Sequence, residues 1–275
     1  MRFQLTLTCN PPQIIPLNYQ YPLSAWIYKV FSRADERFAN WLHQYGYQFT
    51  GNRKFKLFTF SQLNTPKSQL TKDKQYLRLN SPTNTLILSF YMEEAASNFV
   101  KGLFQDQEMY LGDRREGGRF RVHTVERLEE PSFGSEADFR AISPIVVSLP
   151  KERTERLYAQ YLSPEDEGYG RLLIDNLVRR YAAANQRIAG LSFENGTEEA
   201  LLDLPFDPAQ CSFELLSKTK SGLQTIKGGT PRESKVRGYF YRFRLRAPAD
   251  LLQFAHAAGF GEKGSTGFGC VEVDS

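Results

Sequence analysis

Little in this sequence suits metal or redox chemistry. Its three cysteines, Cys9, Cys211 and Cys270, are an odd number without ligand spacing, which argues against a disulfide framework and a zinc ribbon alike. Histidine is as scarce, with only His43, His123 and His256, and no dense set of carboxylates suggests a two-metal centre. No metal and no cofactor are expected. Apolar runs fall well short of the ~20 residues that span a bilayer, and Arg2 to Thr8 alternates rather than forming a signal-peptide core, so a cytoplasmic protein is expected. With 41% hydrophobic and 24% charged residues, the 275-residue chain can bury a sizeable core, which excludes global disorder and fits two domains of ordinary size.

What is present is an uneven charge. Lys218 to Arg246 holds nine basic residues against the single acid Glu233, whereas the rest of the chain is net acidic. Such a local field attracts a polyanion, although a solvated hairpin without a partner would have the same composition. Lys218, Lys220, Lys227, Arg232, Lys235 and Arg237 lie in or beside a turn-rich connection containing Gly222, Gly228 and Gly229, from which side chains can reach phosphates. Arg242, Arg244 and Arg246 share one face of an expected strand, opposite Phe243 and Leu245, and that face would meet solvent or RNA.

Periodicity gives the order of elements. Strands are expected at Arg2–Thr8, Lys54–Ser61, Thr85–Tyr91 and Arg119–Leu128, with helices at Pro22–Phe31, from a Ser32/Asp35 cap to His43 and Gly46, and at Glu93–Gln105. Residues 129–135 form a turn-rich boundary. Beyond it the pattern predicts a strand at Ser143–Leu149, a helix from Ser163-Pro164 through Ala184, strands at Cys211–Ser217 and Val236–Arg246, a helix at Pro248–Ala258 and a last strand at Gly269–Val273. Each half reads βαββαβ. The expected fold is α+β, two tandem ferredoxin-like domains over 1–134 and 135–275.

Gly259 to Gly269 carries five glycines in eleven residues. The string Gly259-x-Gly261-x-x-Gly264 matches a dinucleotide fingerprint, but it follows a helix and enters a strand, the reverse of what pyrophosphate binding needs. A flexible loop or an anion-binding backbone would both use such glycines.

The Gly-Phe-Gly, five-residue, Gly-Phe-Gly pattern resembles the terminal loop of the CRISPR-associated repeat-RNA-processing endoribonucleases of the RAMP superfamily. The start Met1-Arg2-Phe3, Leu23-x-x-x-Ile27-Tyr28, Trp41-Leu42-His43, Lys56 to Ser61 and Ser143-Pro144-Ile145 resemble that family in the same order. The resemblance implies a metal-independent ribonuclease that cuts precursor CRISPR RNA within its repeats, the ribose 2′-OH attacking in line to leave 2′,3′-cyclic phosphate and 5′-OH ends. It makes His43 the general acid/base, assisted by Tyr28 and Lys56, and makes Gly259, Gly261, Lys263, Gly267 and Gly269 part of the RNA-binding surface together with the basic connection. Arg53 and Lys54 rival Lys56 as the cation, because Gln44 to Phe55 is longer than the family's usual connection. Each histidine, taken by residue type alone, could be structural, and Tyr28 could be a core aromatic beside Trp26 and Ile27. The implied partner is CRISPR repeat RNA, precursor or mature, bound by a monomer or homodimer. A non-cleaving relative that delivers RNA to an effector complex would share the fold and the basic hairpin.

Overall fold

The computed structural model describes residues 1–48, 54–113, 115–153, 156–188, 208–228, 230–231 and 233–274. Arg53 and Arg232 lie outside them. None of the described helices is long and apolar enough to cross a membrane.

The first half opens with β1 (Arg2–Thr8) and β2 (Gln13–Pro16), followed by α1 (Gln20–Ala34) and α2 (Glu36–Gln44). In α1, Leu23, Ile27, Val30 and Phe31 recur at helical spacing and are fully buried. Phe31 stands edge-on to Phe58, Phe90 and Phe99, at centroid distances of 5.7, 5.9 and 6.2 Å. Each such ring contributes about 1.5–3 kcal/mol through burial. Asp35 separates the two helices: its N–H donates to Phe31 O, and its carboxylate accepts from the Phe38 N–H at 2.9 Å. The cap is therefore Asp35 itself, and Ser32 belongs to α1. The expected strand over Lys54–Ser61 is divided. β3 (Tyr47–Gln48) pairs with β4 (Lys54–Phe55), Leu57 turns the chain at φ +53°, and β5 (Phe58–Phe60) enters the main sheet.

β6 (Ser68–Leu70), β7 (Tyr76–Leu79) and β2 make a small side sheet. β8 (Thr83–Phe90), α3 (Glu93–Gln105), β9 (Glu108–Gly112) and β10 (Gly117–Leu128) complete the half, giving the sheet order β5-β8-β1-β10-β9. β10, the last expected strand of this half, lies beside β1, the strand order of a ferredoxin-like unit with β9 added at one edge.

The second sheet begins at β11 (Glu136–Ala141), which the sequence reading left out because Ala137, Phe139 and Ala141 make a faint apolar alternation. Of Ser143–Leu149, expected as a strand, only Ser148 and Leu149 are in one, at the start of a later hairpin; residues 143–147 run through the seam outside any sheet. Ile145 makes one isolated bridge with Tyr239, and Val146 O accepts from the Glu262 N–H. Its apolar run reflects burial between elements and not a place in a sheet. β12 (Ser148–Arg153) and β13 (Arg156–Tyr161) form a hairpin before α4 (Tyr169–Ile188). β14 (Ser212–Leu215) follows, then the hairpin of β15 (Lys220–Ile226) and β16 (Ser234–Phe240). The expected strand Val236–Arg246 thus breaks at Tyr241, where β16 gives way to β17 (Arg242–Arg246). α5 (Ala249–Ala258) and β18 (Val271–Val273) close the chain, and the order β14-β17-β11-β18 repeats the ferredoxin-like arrangement. The fold is α+β with two ferredoxin-like halves.

The arginine face of β17 meets solvent, and each of its arginines is paired with an acid. Arg244 holds Asp138 in a two-point pair at 2.6 and 2.9 Å, Arg246 pairs with Glu136 at 2.9 Å, and Arg242 pairs with Asp274. Cross-strand register puts Glu136 opposite Arg246 and Asp138 opposite Arg244, whereas Arg242, opposite Arg140, takes its acid from Asp274 just past the last strand.

The halves meet along α5. Arg2, itself buried, donates to His256 O at 3.0 Å, and the Ser89 hydroxyl donates to Ala257 O at 2.7 Å. His256 is 5% exposed; burial first, then the Arg2 charge, pushes its pKa down to about 3. Between pH 6.5 and 3 the unfolded chain binds a proton there that the folded chain does not, so stability is fully present above pH 6.5 and is lost as pH falls. The slope from this group is about 1.4 kcal/mol per pH unit. His256→Gln is expected to flatten the urea-measured stability slope between pH 6 and 5 by close to one proton, and an unchanged slope would refute the assignment.

Candidate active site

Three separate segments converge at the C-terminal end of α2. Tyr28 comes from α1, His43 from the last turn of α2, and Lys56 from the link between β4 and β5. The exposed His43 ring stands edge-on to Tyr28, 5.1 Å between centroids at 87°. Lys56 Nζ donates to the carbonyls of Leu42 and His43, the latter at 2.9 Å. It thereby satisfies orphan acceptors at the end of α2 and fixes where His43 sits. An ammonium carries three donors, so one remains for another acceptor. Burial, then the nearby Lys54 charge, lowers the Lys56 pKa to about 8. Lys54 lies further out: it donates to Gln44 O at 2.8 Å and rests over the Tyr45 ring.

Burial raises the Tyr28 hydroxyl well above its usual range, so it is a proton donor at neutral pH, and it shares a hydrogen bond with the Ser265 side chain. Ser24, one turn earlier on α1, donates to Ser265 O at 2.6 Å. Ser265 therefore docks the second half onto the face of α1 that carries Tyr28. The sequence reading passed over it; its position among the five residues between the two Gly-Phe-Gly arms was the available signal.

The glycine loop is built into the seam. Gly259, Gly261, Gly267 and Gly269 are buried and have φ between +67° and +91°. Their surroundings leave no space for a side chain: a Cβ on Gly269 would lie 2.0 Å from Phe260 O, and one on Gly261 would lie 2.3 Å from Val146 O. Several backbone donors are already engaged, with Phe260 N–H on Gly269 O, Glu262 N–H on Val146 O and Gly269 N–H on Pro144 O. These three donors are thus taken up inside the protein. The loop instead presents the exposed Lys263 and the Gly264–Thr266 turn toward the first half.

Across the resulting cleft, of about 730 Å³, Lys54, Lys56 and Phe58 face Lys227, Lys263 and Ser265. Lys227 lies just beyond the end of β15, at φ +55°. Lys218, Lys220, Lys235 and Arg237 are exposed. Of these, Lys235 and Arg237 share the outer face of the hairpin, because Val236 between them is buried. The basic group is therefore divided between the cleft and an outer surface. His123 is exposed on β10, and His256 is the buried residue beneath Arg2.

Comparison with known proteins agrees with this architecture. The family described as CRISPR associated protein Cas6, C-terminal, matches residues 128–273, and that described as CRISPR-associated protein Cas6, N-terminal, matches residues 14–126. The CRISPR-associated endoribonuclease Cas6 1 of Methanocaldococcus jannaschii is 28% identical, with 98% of this chain and 92% of the relative aligned. The CRISPR-associated endoribonuclease Cas6 of Pyrococcus furiosus is 25% identical over 94% of this chain and 84% of its own. A solved structure of a Cas6-related protein from Pyrococcus furiosus, 23% identical, superposes with a TM-score of 0.78 over 100% of this chain and 98% of its own, which supports the fold. With two consecutive Cas6 models covering nearly all of it, the chain belongs to the Cas6 family of CRISPR-associated proteins.

Proposed function

We propose that this protein is a metal-independent endoribonuclease that binds CRISPR repeat RNA and cuts the precursor within each repeat. Residues 1–134 and 135–275 act as two domains, with the reaction at their junction. The observation that carries this reading is the meeting of His43, Tyr28 and Lys56, from three different elements, at the end of α2, where Lys56 also lines the cleft. The three groups supply what an in-line transesterification needs. A ribose 2′-OH loses its proton and forms a bond to the adjacent phosphorus, and the bond to the 5′-oxygen breaks as that oxygen takes up a proton. His43 transfers a proton in these steps. Tyr28, kept protonated by burial, donates a hydrogen bond, and the third Lys56 donor meets the charge that builds on the non-bridging oxygens. The products carry 2′,3′-cyclic phosphate and 5′-OH ends.

Incubation with repeat RNA in EDTA, followed by chemical mapping of both new ends, tests the reading; binding without any cut would favour a protein that hands RNA to an effector complex. The pH profile tests Lys56 in particular. Because its pKa lies near 8, its charge is lost as pH rises through that value, and single-turnover cleavage is expected to fall above pH 8. Lys56→Arg should keep its activity to higher pH, and an alkaline limb that does not move would remove Lys56 from the reaction.

A further inference from the structure

The Tyr28 ring is held on its sides by its own half of the chain. Phe31, His43 and Phe58 stand edge-on to it, at centroid distances of 6.0, 5.1 and 5.8 Å. Ring contacts of this kind fix the plane of the side chain. The direction of the hydroxyl proton at its tip stays open until a partner engages the oxygen. Among the described residues the hydrogen-bond partner of that hydroxyl is the Ser265 side chain, which comes from the other half.

Ser265 is itself firmly placed. It sits in the Gly264–Thr266 turn, closed by the Thr266 N–H on Lys263 O at 2.9 Å and the Gly267 N–H on Gly264 O at 3.0 Å. The turn lies tight against β5: a Cβ on Gly264 would be 2.8 Å from Phe58 O, and the Thr59 hydroxyl donates to Phe268 O at 2.6 Å. Ser24, buried one turn before Tyr28 on α1, donates to the Ser265 carbonyl at 2.6 Å. Docking therefore uses the backbone of Ser265, and its hydroxyl is left for Tyr28. The two contacts sit on different atoms, so removing the side-chain oxygen leaves the docking bond in place.

We propose that Ser265 is a positioning residue for Tyr28, its hydroxyl donating to the Tyr28 oxygen so that the Tyr28 proton stays free for another acceptor. This rests on the reading of Tyr28 as a group of the reaction, and it adds that the second half sets the pose of a side chain of the first. A phenolic oxygen that accepts one hydrogen bond still donates its own proton, and the accepted bond polarises that O–H into a stronger donor. The contacts of Lys56 with Leu42 O and His43 O, and of His43 with Tyr28, all lie within the first half. Ser265 is thus the point at which the docking of the glycine loop reaches the reacting groups.

The test compares wild type with Ser265→Ala, Tyr28→Phe and the double variant, each carrying carbon-13 at Cζ of its tyrosines. The Tyr28 signal is the one that Tyr28→Phe removes. Ser265→Ala is expected to shift that signal, to keep the affinity for repeat RNA, and to slow single-turnover cleavage by roughly tenfold. In the Tyr28→Phe background the same substitution should change the rate by less than about twofold, because the hydroxyl it serves is gone. A serine that only braced the loop would slow both backgrounds alike. The proposal is overturned if the Tyr28 signal does not move, if Ser265→Ala cuts at the wild-type rate, or if it costs as much in the Tyr28→Phe background as in wild type. The resonance needs no cleavage: a wild-type protein that leaves repeat RNA whole would refute the nuclease, and a shifted Tyr28 signal would still uphold the grip of Ser265 on that hydroxyl.

Discussion

Replacing His43 with alanine is expected to slow cleavage of repeat RNA in EDTA by roughly 10²–10⁴-fold while changing RNA affinity little. The side chain is exposed at the end of α2 and stands against the edge of Tyr28, so its removal takes away proton transfer and leaves the core untouched. The backbone carbonyl that Lys56 holds survives the substitution, so the helix end stays in place. Single-turnover rates beside binding isotherms provide the measurement; turnover equal to wild type would exclude His43 as the proton carrier. A substrate with 2′-deoxyribose only at the cut site separates the chemistry further. It should bind and remain whole because it lacks the nucleophile, and its cleavage would require attack by water instead.

The second large effect is structural. Gly269→Val or Gly261→Val is expected to destabilise the protein by at least about 3 kcal/mol, since each adds the strain of a positive φ to a backbone collision. For Gly269 the obstacle is Phe260 O at 2.0 Å, and for Gly261 it is Val146 O at 2.3 Å; neither is a flexible side chain that can swing away. The melting temperature should fall by about 6 °C or more in a protein of this size. Lys263→Ala, on an exposed side chain of the same loop, should stay within about 0.5 kcal/mol of wild type. Equal melting curves for the valine variants would mean that the seam does not depend on the tight loop.

The two experiments separate layers that had to be read in different ways. Strong period and end signals made α1, α2, α3 and α5 legible in the sequence; Glu93–Gln105 is bounded as expected, and Asp35 supplied a visible cap even though its place relative to Ser32 was misread. The same patterns failed where burial comes from two sides. Ile145-Val146-Val147 looks like a strand because it is apolar, but it is covered by the hairpin and the glycine loop rather than paired in a sheet. Conversely, Glu136–Ala141 is a central strand of its sheet with little apolar contrast, because its charged face is satisfied by arginines that lie over a hundred residues later.

By itself, then, the sequence determined the α+β alternation, the basic segment and the glycine loop, and through that loop the resemblance to repeat-RNA nucleases. These are local properties: spacing, composition, and the φ freedom that only glycine has. Tertiary structure decided which charges are free. The arginines of β17 and the lysines of the cleft are alike as residues, but acids pair with the first group, while Lys54, Lys56, Lys227 and Lys263 line a recess between the halves. Tertiary structure also brought Ser265 to Tyr28 and Lys56 to the end of α2. No periodicity encodes those meetings, because each depends on the docking of elements whose separation along the chain says nothing of their distance in space.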